Sequence, residues 1–504
     1  MSDLALLDHV DQVRRDVAAL TRREHKALLG QFMTPSTVAR FMASLFIDNG
    51  VRNVRLLDAG AGIGSLTSAF LDRWSHGGFD FSHVDVTAHE IDPRLLGHLD
   101  STLTAYAKRL PLEWSIRTQD FIEDAVNNIQ FGDDRYTHAI LNPPYKKIGG
   151  HSSHRLLLRR LGIETVNLYS AFVALALSLL APGGQLVAIV PRSFCNGPYY
   201  RPFREFLLTR AALRHLHLFA ARDHAFQDDG VLQENIILLL EKGARQGDVT
   251  VSQATDSDFA DLATQVFPFE RIVLAGDPEQ CIHIPTSGQA DPLDASSTFR
   301  HSLADIGIEV STGPVVDFRL REHLRDMPEP GAVPLLYPCH FSGGALAWPR
   351  ADARKPNALM RNADTEKWLY PNGFYAVVRR FSSKEEKRRI VASVVSPLAI
   401  DAPALGFENH LNVFHRDKSG IPEDVAHGLA AYLNSTAVDR HFRRFSGHTQ
   451  VNVADLRRMK FPARDALSAL GRWAMKTGAP TQEEIDREVE SNGTRFLGPY
   501  NRQD

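Results

Sequence analysis

The chain has 504 residues, of which 43% are hydrophobic and 23% are charged, and its formal net charge is −3. This length predicts two or three domains, and the composition is that of a globular protein with substantial cores. No apolar run reaches the roughly 18 residues of a transmembrane helix, and the amino terminus lacks a signal-peptide pattern. The slightly acidic overall charge alone argues against a nucleic-acid-binding protein.

The three cysteines, Cys195, Cys281 and Cys339, lie far apart in the sequence. This spacing excludes a disulfide framework and a zinc site built from paired cysteines. It is typical of proteins that work in a reducing compartment, so we expect a cytoplasmic protein without a membrane partner.

The predicted elements begin with a helix and continue as an alternating series. In "GQFMTPSTVARFMASLF", Thr34, Pro35 and Ser36 form a helix start signal, and apolar residues follow at helical spacing. From Val54 onward, helix-compatible stretches separate strand-like runs that end at "VRLLDAG", "VDVTAHEID", "WSIRTQD", "HAILNPP", "QLVAIVP" and "LRHLHLF", with "ENIILLLEK" as the last strand. This alternation predicts an α/β fold, a mostly parallel sheet with helices on both faces.

The pattern changes after this predicted sheet. Residues 246–300 are polar and irregular, which indicates a bridging region. Residues 301–504 combine Pro/Gly turns and short strand-like pieces with later helical stretches, which predicts an α+β domain. Between Gly373 and Lys460, Lys and Arg outnumber Asp and Glu by roughly five, so this segment is either a local docking surface or a solvated face.

The loop after the first predicted strand, "LLDAGAGIGSL", contains Asp58 followed by Gly60, Gly62 and Gly64. Glycines at this point permit a tight turn and the close approach of a ligand to the backbone. Their spacing differs from the G-x-G-x-x-G of dinucleotide-binding loops. An acid before the glycines would repel a pyrophosphate but could attract the cationic methionine part of S-adenosylmethionine. The alternative is a purely structural turn.

The next two predicted strands also end in acids. Glu90 in "AHEIDP" could accept hydrogen bonds from both ribose hydroxyls, and Asp120 in "TQDFIED" from an adenine amine, with Phe121 packed on the adenine ring. Each acid taken alone could be a solvated residue at a strand end. Three successive acids at the carboxyl edge of a parallel sheet together predict a nucleoside-binding site.

The fourth predicted strand ends in "THAILNPPYKK", which contains Asn142, Pro143, Pro144 and Tyr145. The two prolines fix the backbone and have no N–H, so the loop presents carbonyl acceptors. Together with the Asn142 side chain, these acceptors could bind an exocyclic amine and make its nitrogen more nucleophilic. Tyr145 offers a ring on which a planar base can stack. The alternative is an ordinary turn.

These motifs, in this order, resemble those of the gamma class of N6-adenine DNA methyltransferases from type II restriction-modification systems. The matching stretches within residues 28–242 are "GQFMTP", the amino-terminal cofactor motif, "DAGAGIG", the glycine loop, "NPPY", the catalytic motif, and "GGQLVAIVPRSF", a following strand motif. The resemblance implies a Rossmann-like S-adenosylmethionine-dependent methyltransferase domain over residues 1–245. It also implies a C-terminal α+β target-recognition domain over residues 301–504.

The resemblance further implies roles for single residues. The cofactor S-adenosylmethionine would be bound by Thr34, Pro35, Asp58, Gly60, Gly62, Glu90, Asp120 and Phe121. The target adenine, flipped out of the duplex, would be bound by the catalytic residues Asn142, Pro143, Tyr145 and Phe226. Phe226, in "ARDHAFQDDGVLQEN", would cover the second face of the base, and the alternative is an ordinary core phenylalanine.

Two stretches near the carboxyl terminus, "YAVVRRFSSKEEKRRI" and "FRRFSGHTQVNVADLRRMKFP", resemble parts of the family's target-recognition domains. Their candidate DNA-binding residues are Arg379, Arg380, Lys384, Lys387, Arg388, Arg389, His448 and Gln450. Basic side chains suit phosphates, and arginine can also bind guanine. The alternatives are an exposed amphipathic face and, for residues 446–450, a plain turn.

No metal site is predicted. The pair His151 and His154 in "HSSH" follows the catalytic loop and suits a mobile segment that closes over substrate better than a metal site. A nuclease signature with its own domain is not found either, so we do not expect a fused endonuclease.

Together these features predict methyl transfer from S-adenosylmethionine to N6 of adenine in duplex DNA. The resemblance implies that the chain acts as a monomer and protects host DNA from a cognate restriction endonuclease. The alternatives are an RNA or protein-glutamine N-methyltransferase and a non-catalytic DNA-binding specificity subunit. A nicotinamide enzyme is disfavoured by the glycine spacing.

Overall fold

The computed structural model describes residues 5–20, 33–219, 234–285, 300–382, 386–445 and 450–495. The chain forms two compact units, Met1–Thr286 and Ser287–Asp504. Within the described ranges, no helix is both long enough and apolar enough to cross a membrane.

The first unit is built on one large sheet. Its strands are β1 (Asn53–Ala59), β2 (His83–His89), β3 (Leu112–Arg117), β4 (Tyr136–Leu141), β5 (Leu180–Pro191), β6 (Ala211–Phe219), β7 (Asn235–Lys242), β8 (Val249–Ala254) and β9 (Ala263–Phe267). The order across the sheet is β3-β2-β1-β4-β5-β7-β6-β8-β9. Strands β1 to β5 run parallel, β7 is antiparallel to β5 and β6, and β9 is antiparallel to β8.

Helices cover both faces of this sheet. They are α1 (Ala5–Leu20), α2 (Ser36–Ser44), α3 (Ser65–Ser75), α4 (Pro93–Ala107), α5 (Phe121–Phe131), α6 (Ser153–Arg160), α7 (Leu168–Leu179) and α8 (Arg201–Arg210). One apolar core unites residues of α2, α3 and α4 with the sheet, and a second unites residues of α5, α7 and α8 with it. The predicted α/β fold is confirmed.

Strand β4 lies in the interior of the sheet, between β1 and β5. Leu56 and Leu57 of β1 are in register with His138 and Ala139 of β4. The side chains of Ala139, Ile140 and Leu141 are fully buried, as expected for a parallel strand covered on both faces. The loop that begins at Asn142 is therefore anchored to the rigid part of the unit.

Strands β8 and β9 differ from the sequence prediction, which ended the sheet at β7 and assigned residues 246–300 to an irregular bridging region. Strand β8 pairs in parallel with β6, and β9 continues the sheet. In β9 the only buried side chain is that of Phe267. An edge strand of this kind carries little hydrophobic periodicity, so its sequence resembles a polar loop.

The second unit is a mixed structure, in agreement with the predicted α+β class. Its strands are β10 (Glu309–Thr312), β11 (Leu324–Arg325), β12 (Ala332–Leu336), β13 (Phe341–Ser342), β14 (Ala345–Leu346), β15 (Ala358–Met360), β16 (Leu369–Pro371), β17 (Tyr375–Arg379), β18 (Ala392–Val395), β19 (Ala404–Phe407) and β20 (Leu411–His415). Its helices are α9 (Glu423–Leu433), α10 (Thr436–Phe445), α11 (Val453–Arg458), α12 (Arg464–Thr477) and α13 (Gln482–Arg495). The sheet orders are β10-β20-β17-β18, β11-β15-β12-β19-β16 and β13-β14.

Helices α9 and α12 pack very closely in this unit, at two glycines. A Cβ atom on Gly428 would lie 1.9 Å from the Leu467 carbonyl oxygen, and one on Gly471 would lie 1.7 Å from that of Asp424. Only glycine permits this backbone approach. The two helices enclose a core with β10, β17 and β20.

Candidate active site

A cleft opens at the carboxyl ends of β1, β2, β3 and β4, with about 840 Å³ of empty space that is partly open to solvent. The strand order reverses between β1 and β4, and open α/β sheets bind ligands at such a reversal. The lining residues are Met33, Thr34, Gly60, Ala61, Gly62, Ile63, Ser65, Leu66, His89, Glu90, Ile91, Leu95, Asp120, Phe121, Asn142, Pro144 and Phe172.

The glycine loop after β1 forms one wall of the cleft. Gly60, Gly62 and Gly64 have φ angles of 87°, 59° and 88°, a region that favours glycine. The backbone N–H of Gly60 donates to the His89 carbonyl over 3.0 Å, which holds the loop against the end of β2. A Cβ atom on Gly60 would lie 3.8 Å from the Asn142 carbonyl oxygen, so the glycine loop passes close to the loop that follows β4.

Glu90 connects the glycine loop to the start of α4. Its Oε2 accepts from the Gly62 backbone N–H at 2.8 Å, and its Oε1 accepts from that of Asp92 at 2.7 Å. Burial raises the pKa of Glu90, and the hydrogen bonds from Asp92 and Gly62 act in the opposite direction. The carboxylate is therefore held in one orientation at the wall of the cleft.

Asp58 lies behind the glycine loop, and it is not among the residues that line the cleft. Its side chain is fully buried, and its Oδ2 accepts from the Thr67 hydroxyl at 2.6 Å. Within the described part of the chain, its Oδ1 has no hydrogen-bond partner. Burial raises the pKa of Asp58 to about 7, although the Thr67 hydrogen bond acts in the opposite direction. Asp58 therefore lies behind the wall of the cleft and does not face its empty space.

Asp120 caps helix α5 and at the same time contacts α6. Its Oδ1 accepts from the Ile122 backbone N–H at 2.9 Å, and its Oδ2 lies 3.2 Å from His154 Nε2. Phe121, the first residue of α5, packs against Phe172 of α7 with ring centroids 4.8 Å apart. Phe172 could not be identified from the sequence, because it lies in a helix that is apolar on every face. Both phenylalanines line the cleft.

Asn142 and Thr34 meet at the cleft although they come from different motifs. The Asn142 side-chain nitrogen donates to the Thr34 hydroxyl at 3.0 Å. Pro35 follows Thr34, and its carbonyl accepts the first hydrogen bond of α2, from Ala39. Pro35 itself does not line the cleft.

The remaining residues of the catalytic loop are partly withdrawn from the cleft. Pro143 is buried and Pro144 lines the cleft. Tyr145 is half-buried, its hydroxyl donates to the Ile189 carbonyl at 3.3 Å, and its ring meets that of Tyr169 edge-on. Burial raises the pKa of Tyr145. Phe226, the predicted second aromatic residue, lies outside the described residues.

The predicted DNA-binding residues of the second unit differ in exposure. Lys387 is exposed, Arg379 is paired with Glu386, and Arg380 donates to the Asn409 carbonyl at 3.2 Å. Arg388 is half-buried, and its side chain donates to the Ser435 carbonyl at 2.7 Å. In Gln450 the backbone pairs with that of Phe381. Lys384 and His448 lie outside the described residues.

Arg389 does not match its predicted role. Its side chain is fully buried, and its guanidinium carbon lies 5.4 Å from the ring centroid of Phe442. A phosphate cannot reach a side chain in this position. The run "KEEKRRI" consists almost entirely of charged residues, so its sequence predicts an exposed segment. At Arg389 and Ile390, however, the chain turns inward against α10.

No cluster of three or more potential metal ligands is found among the residues that the structure describes. His151 is exposed, whereas His154 contacts Asp120, so these two histidines have different surroundings. Cys195 and Cys281 are buried, and Cys339 is partly buried.

Comparisons with known proteins agree with this architecture. The Eco57I restriction-modification methylase family matches residues 76–226. Among solved structures, the type IIL restriction-modification enzyme MmeI in complex with DNA has a TM-score of 0.52 at 10% identity, over 99% of this chain and 76% of that chain. The DrdV–DNA complex has a TM-score of 0.50 at 13% identity, over 93% and 59% of the two chains. These two structures share the fold.

Two curated relatives match almost the whole chain. It is 52% identical over 493 residues to the type II methyltransferase M.BsuBI of Bacillus subtilis, which covers 96% of this chain and 97% of the relative. It is 41% identical over 494 residues to the type II methyltransferase M.PstI of Providencia stuartii, with 96% of each chain covered. The resemblance found in the sequence is thereby confirmed: the chain belongs to the type II DNA methyltransferases of restriction-modification systems.

Proposed function

We propose that this chain transfers the methyl group of S-adenosylmethionine to the N6 amine of an adenine that has been flipped out of duplex DNA. Methyltransferases of this class use S-adenosylmethionine. The observation that carries the proposal is that Asn142 and the glycine loop line one cleft, at the ends of neighbouring strands. This arrangement brings Asn142, the candidate hydrogen-bond acceptor for the target amine, next to the glycine loop, the candidate binding surface for the cofactor.

The cleft residues fit the cofactor. The positive φ angles of Gly60 and Gly62 allow a ligand to lie against the backbone, and Glu90 presents a carboxylate that suits hydroxyl donors. Asp120 and Phe121 supply a second acceptor and an apolar ring surface for a purine. When bound, S-adenosylmethionine supplies an electrophilic methyl group on a sulfonium centre.

The catalytic loop would bind and orient the target amine. Asn142 Oδ1 and the Pro143 carbonyl accept its two N–H groups, which directs the nitrogen lone pair toward the methyl group. After methyl transfer, the nitrogen would carry an extra proton, and this proton would pass to solvent. No covalent bond to the protein is required, so positioning supplies most of the catalysis.

Aromatic residues would hold the flipped base. Tyr145 stacks on one face of the adenine, and base–aromatic stacking contributes roughly 1–3 kcal/mol. In the present structure Tyr145 is half-buried, so part of its ring would have to become accessible on DNA binding. We assign the second face to Phe226.

We further propose that the second unit recognises the target sequence. The candidates for DNA contact among the described residues are Arg379, Arg380, Lys387, Arg388 and Gln450, each at least partly exposed. Lys384 and His448, which lie outside the described residues, stay candidates from the sequence. The chain would act as a monomer in the cytoplasm and protect host DNA from a cognate restriction endonuclease.

The decisive experiment is single-molecule sequencing of genomic DNA from a methylation-free host that expresses the chain, with Asn142→Ala as the matched control. We expect N6-methyladenine at one short sequence, absent with Asn142→Ala, while the variant still binds S-adenosylmethionine. Methylated cytosine would overturn the adenine assignment. Unmodified DNA from a chain that binds the cofactor would instead direct attention to RNA or protein-glutamine substrates.

A further inference from the structure

A strongly basic segment follows the catalytic loop. Between residues 143 and 163 the sequence contains no acidic residue, although the whole chain has a net charge of −3. The basic residues of this stretch are Lys146, Lys147, Arg155, Arg159 and Arg160. We refer to residues 146–160 as the post-catalytic segment.

Backbone pairing joins the start of the post-catalytic segment to the residues that lead into α7. The Ile148 N–H donates to the Val166 carbonyl at 2.8 Å, and the Leu168 N–H donates to that of Lys146 at 2.8 Å. Ile148 and Leu158 are buried in the same core as α5 and α7. The segment is therefore a packed part of the unit, and its first residues are paired with residues 166–168.

The amino end of α6 lies at the cleft. His154 Nε2 is 3.2 Å from Asp120 Oδ2, and Asp120 lines the cleft together with Asn142. Helix α6, which carries Arg155, Arg159 and Arg160, thus begins beside the site at which the target base is proposed to bind.

The positive charge of the post-catalytic segment is only partly neutralised. Arg155 and Arg159 share one acid, Glu164, with N–O distances of 3.0 Å and 2.8 Å. Lys147 and Arg160 are exposed to solvent. An ordinary solvated face mixes both signs of charge, whereas this one has a single-sign excess beside the reaction centre.

We propose that the post-catalytic segment binds phosphates of the DNA strand next to the target nucleotide. This inference rests on the proposed DNA-methylating function and adds a DNA contact on the catalytic unit itself. Phosphate contacts fix the register of a protein on a duplex without selecting its sequence. Here they hold the backbone of the extruded nucleotide in place, so that the adenine amine stays against Asn142.

The double variant Lys147→Ala/Arg160→Ala tests the proposal in the full-length chain. Each phosphate contact contributes roughly 0.9 to the slope of log affinity against log salt concentration. We therefore expect the slope for duplex DNA to become shallower by about 2, and the affinity at about 0.1 M salt to fall on the order of tenfold or more. The loss is equal for duplexes with and without the target site. Binding of S-adenosylmethionine stays unchanged.

The matched control is Lys108→Ala/Arg245→Ala. These two exposed residues precede β3 and β8, so they lie near the amino ends of the strands, whereas the cleft lies at the carboxyl ends. Their removal deletes the same amount of positive charge. We expect this control to bind DNA as the parent does. An unchanged salt slope in the test variant, or an equal change in the control, would overturn the inference while methylation by the parent protein still supports the proposed function. Failure of the parent to bind and methylate duplex DNA would instead overturn the proposed function.

Discussion

The side-chain nitrogen of Asn142 donates a hydrogen bond to the hydroxyl of Thr34 at 3.0 Å, across a sequence separation of 108 residues. The bond joins Thr34, two residues before α2, to Asn142, the residue after β4. It also decides the orientation of the amide, because the nitrogen that faces Thr34 leaves the carbonyl oxygen on the other side. Thr34 is thus placed to position the acceptor that the target amine needs.

We predict that Thr34→Val lowers kcat about tenfold, because loss of one hydrogen bond worth about 1–1.5 kcal/mol frees the Asn142 amide to rotate. Valine keeps the shape of threonine, and Thr34→Ser, which keeps the hydroxyl, should retain most of the activity. Steady-state kinetics with varied S-adenosylmethionine separate this positioning role from a cofactor contact. A rise in KM for the cofactor with unchanged kcat would contradict it.

We predict an unusual pH dependence of stability from Asp58. Its pKa in the folded chain is about 7, above the ordinary value of 3.8, so the folded state binds the proton more tightly than the unfolded state. The stabilisation from this group is complete below pH 4 and is lost as the pH rises through 7, by an amount on the order of a few kcal/mol.

Asp58→Asn tests this dependence, because asparagine resembles the protonated acid. Thermal unfolding of the cofactor-free chain should give similar midpoints for the parent and the variant at pH 4, and the difference should grow as the pH rises toward 7. At pH 8 the variant should unfold at the higher temperature. Parallel profiles over this range would show that Asp58 titrates normally.

We predict that Glu90→Gln weakens the binding of S-adenosylmethionine by on the order of tenfold. Both oxygens of Glu90 accept backbone N–H groups, and a glutamine would turn an NH2 group toward either Gly62 or Asp92. Titration calorimetry measures the affinity directly. Glu113→Gln, an exposed acid of β3, is the control with the same chemical change. Equal affinity in both variants would remove Glu90 from the cofactor site.

We predict that Gly471→Ala destabilises the second unit by several kcal/mol. The added methyl group would lie 1.7 Å from the Asp424 carbonyl oxygen, so α9 and α12 must separate and open their shared core. Gly97→Ala in α4 is the control, since nothing lies within 4 Å of its Cβ position and alanine favours a helix. Denaturant unfolding should show a large loss for the first variant and a small gain for the second.

The sequence predicted the first unit well because its signals are local. Each of the first four strands ends in a loop with distinctive residues, and parallel topology brings these loops to one edge. The bond between Thr34 and Asn142 and the burial of Arg389 depend on which segments meet in three dimensions. The periodicity of the sequence does not reveal such tertiary contacts. Strand β9 resembled a loop because most of its side chains are exposed and it therefore has no apolar periodicity.

Each of the two units has its own apolar core, and the helix pair at Gly428 and Gly471 belongs wholly to the second. A mutation that reshapes one core therefore leaves the packing of the other intact. If the second unit reads DNA as proposed, descendants of this chain could acquire new target sequences without rebuilding the machinery of methyl transfer. The division into two units would then allow the target sequence to change while the methyl-transfer reaction stays the same.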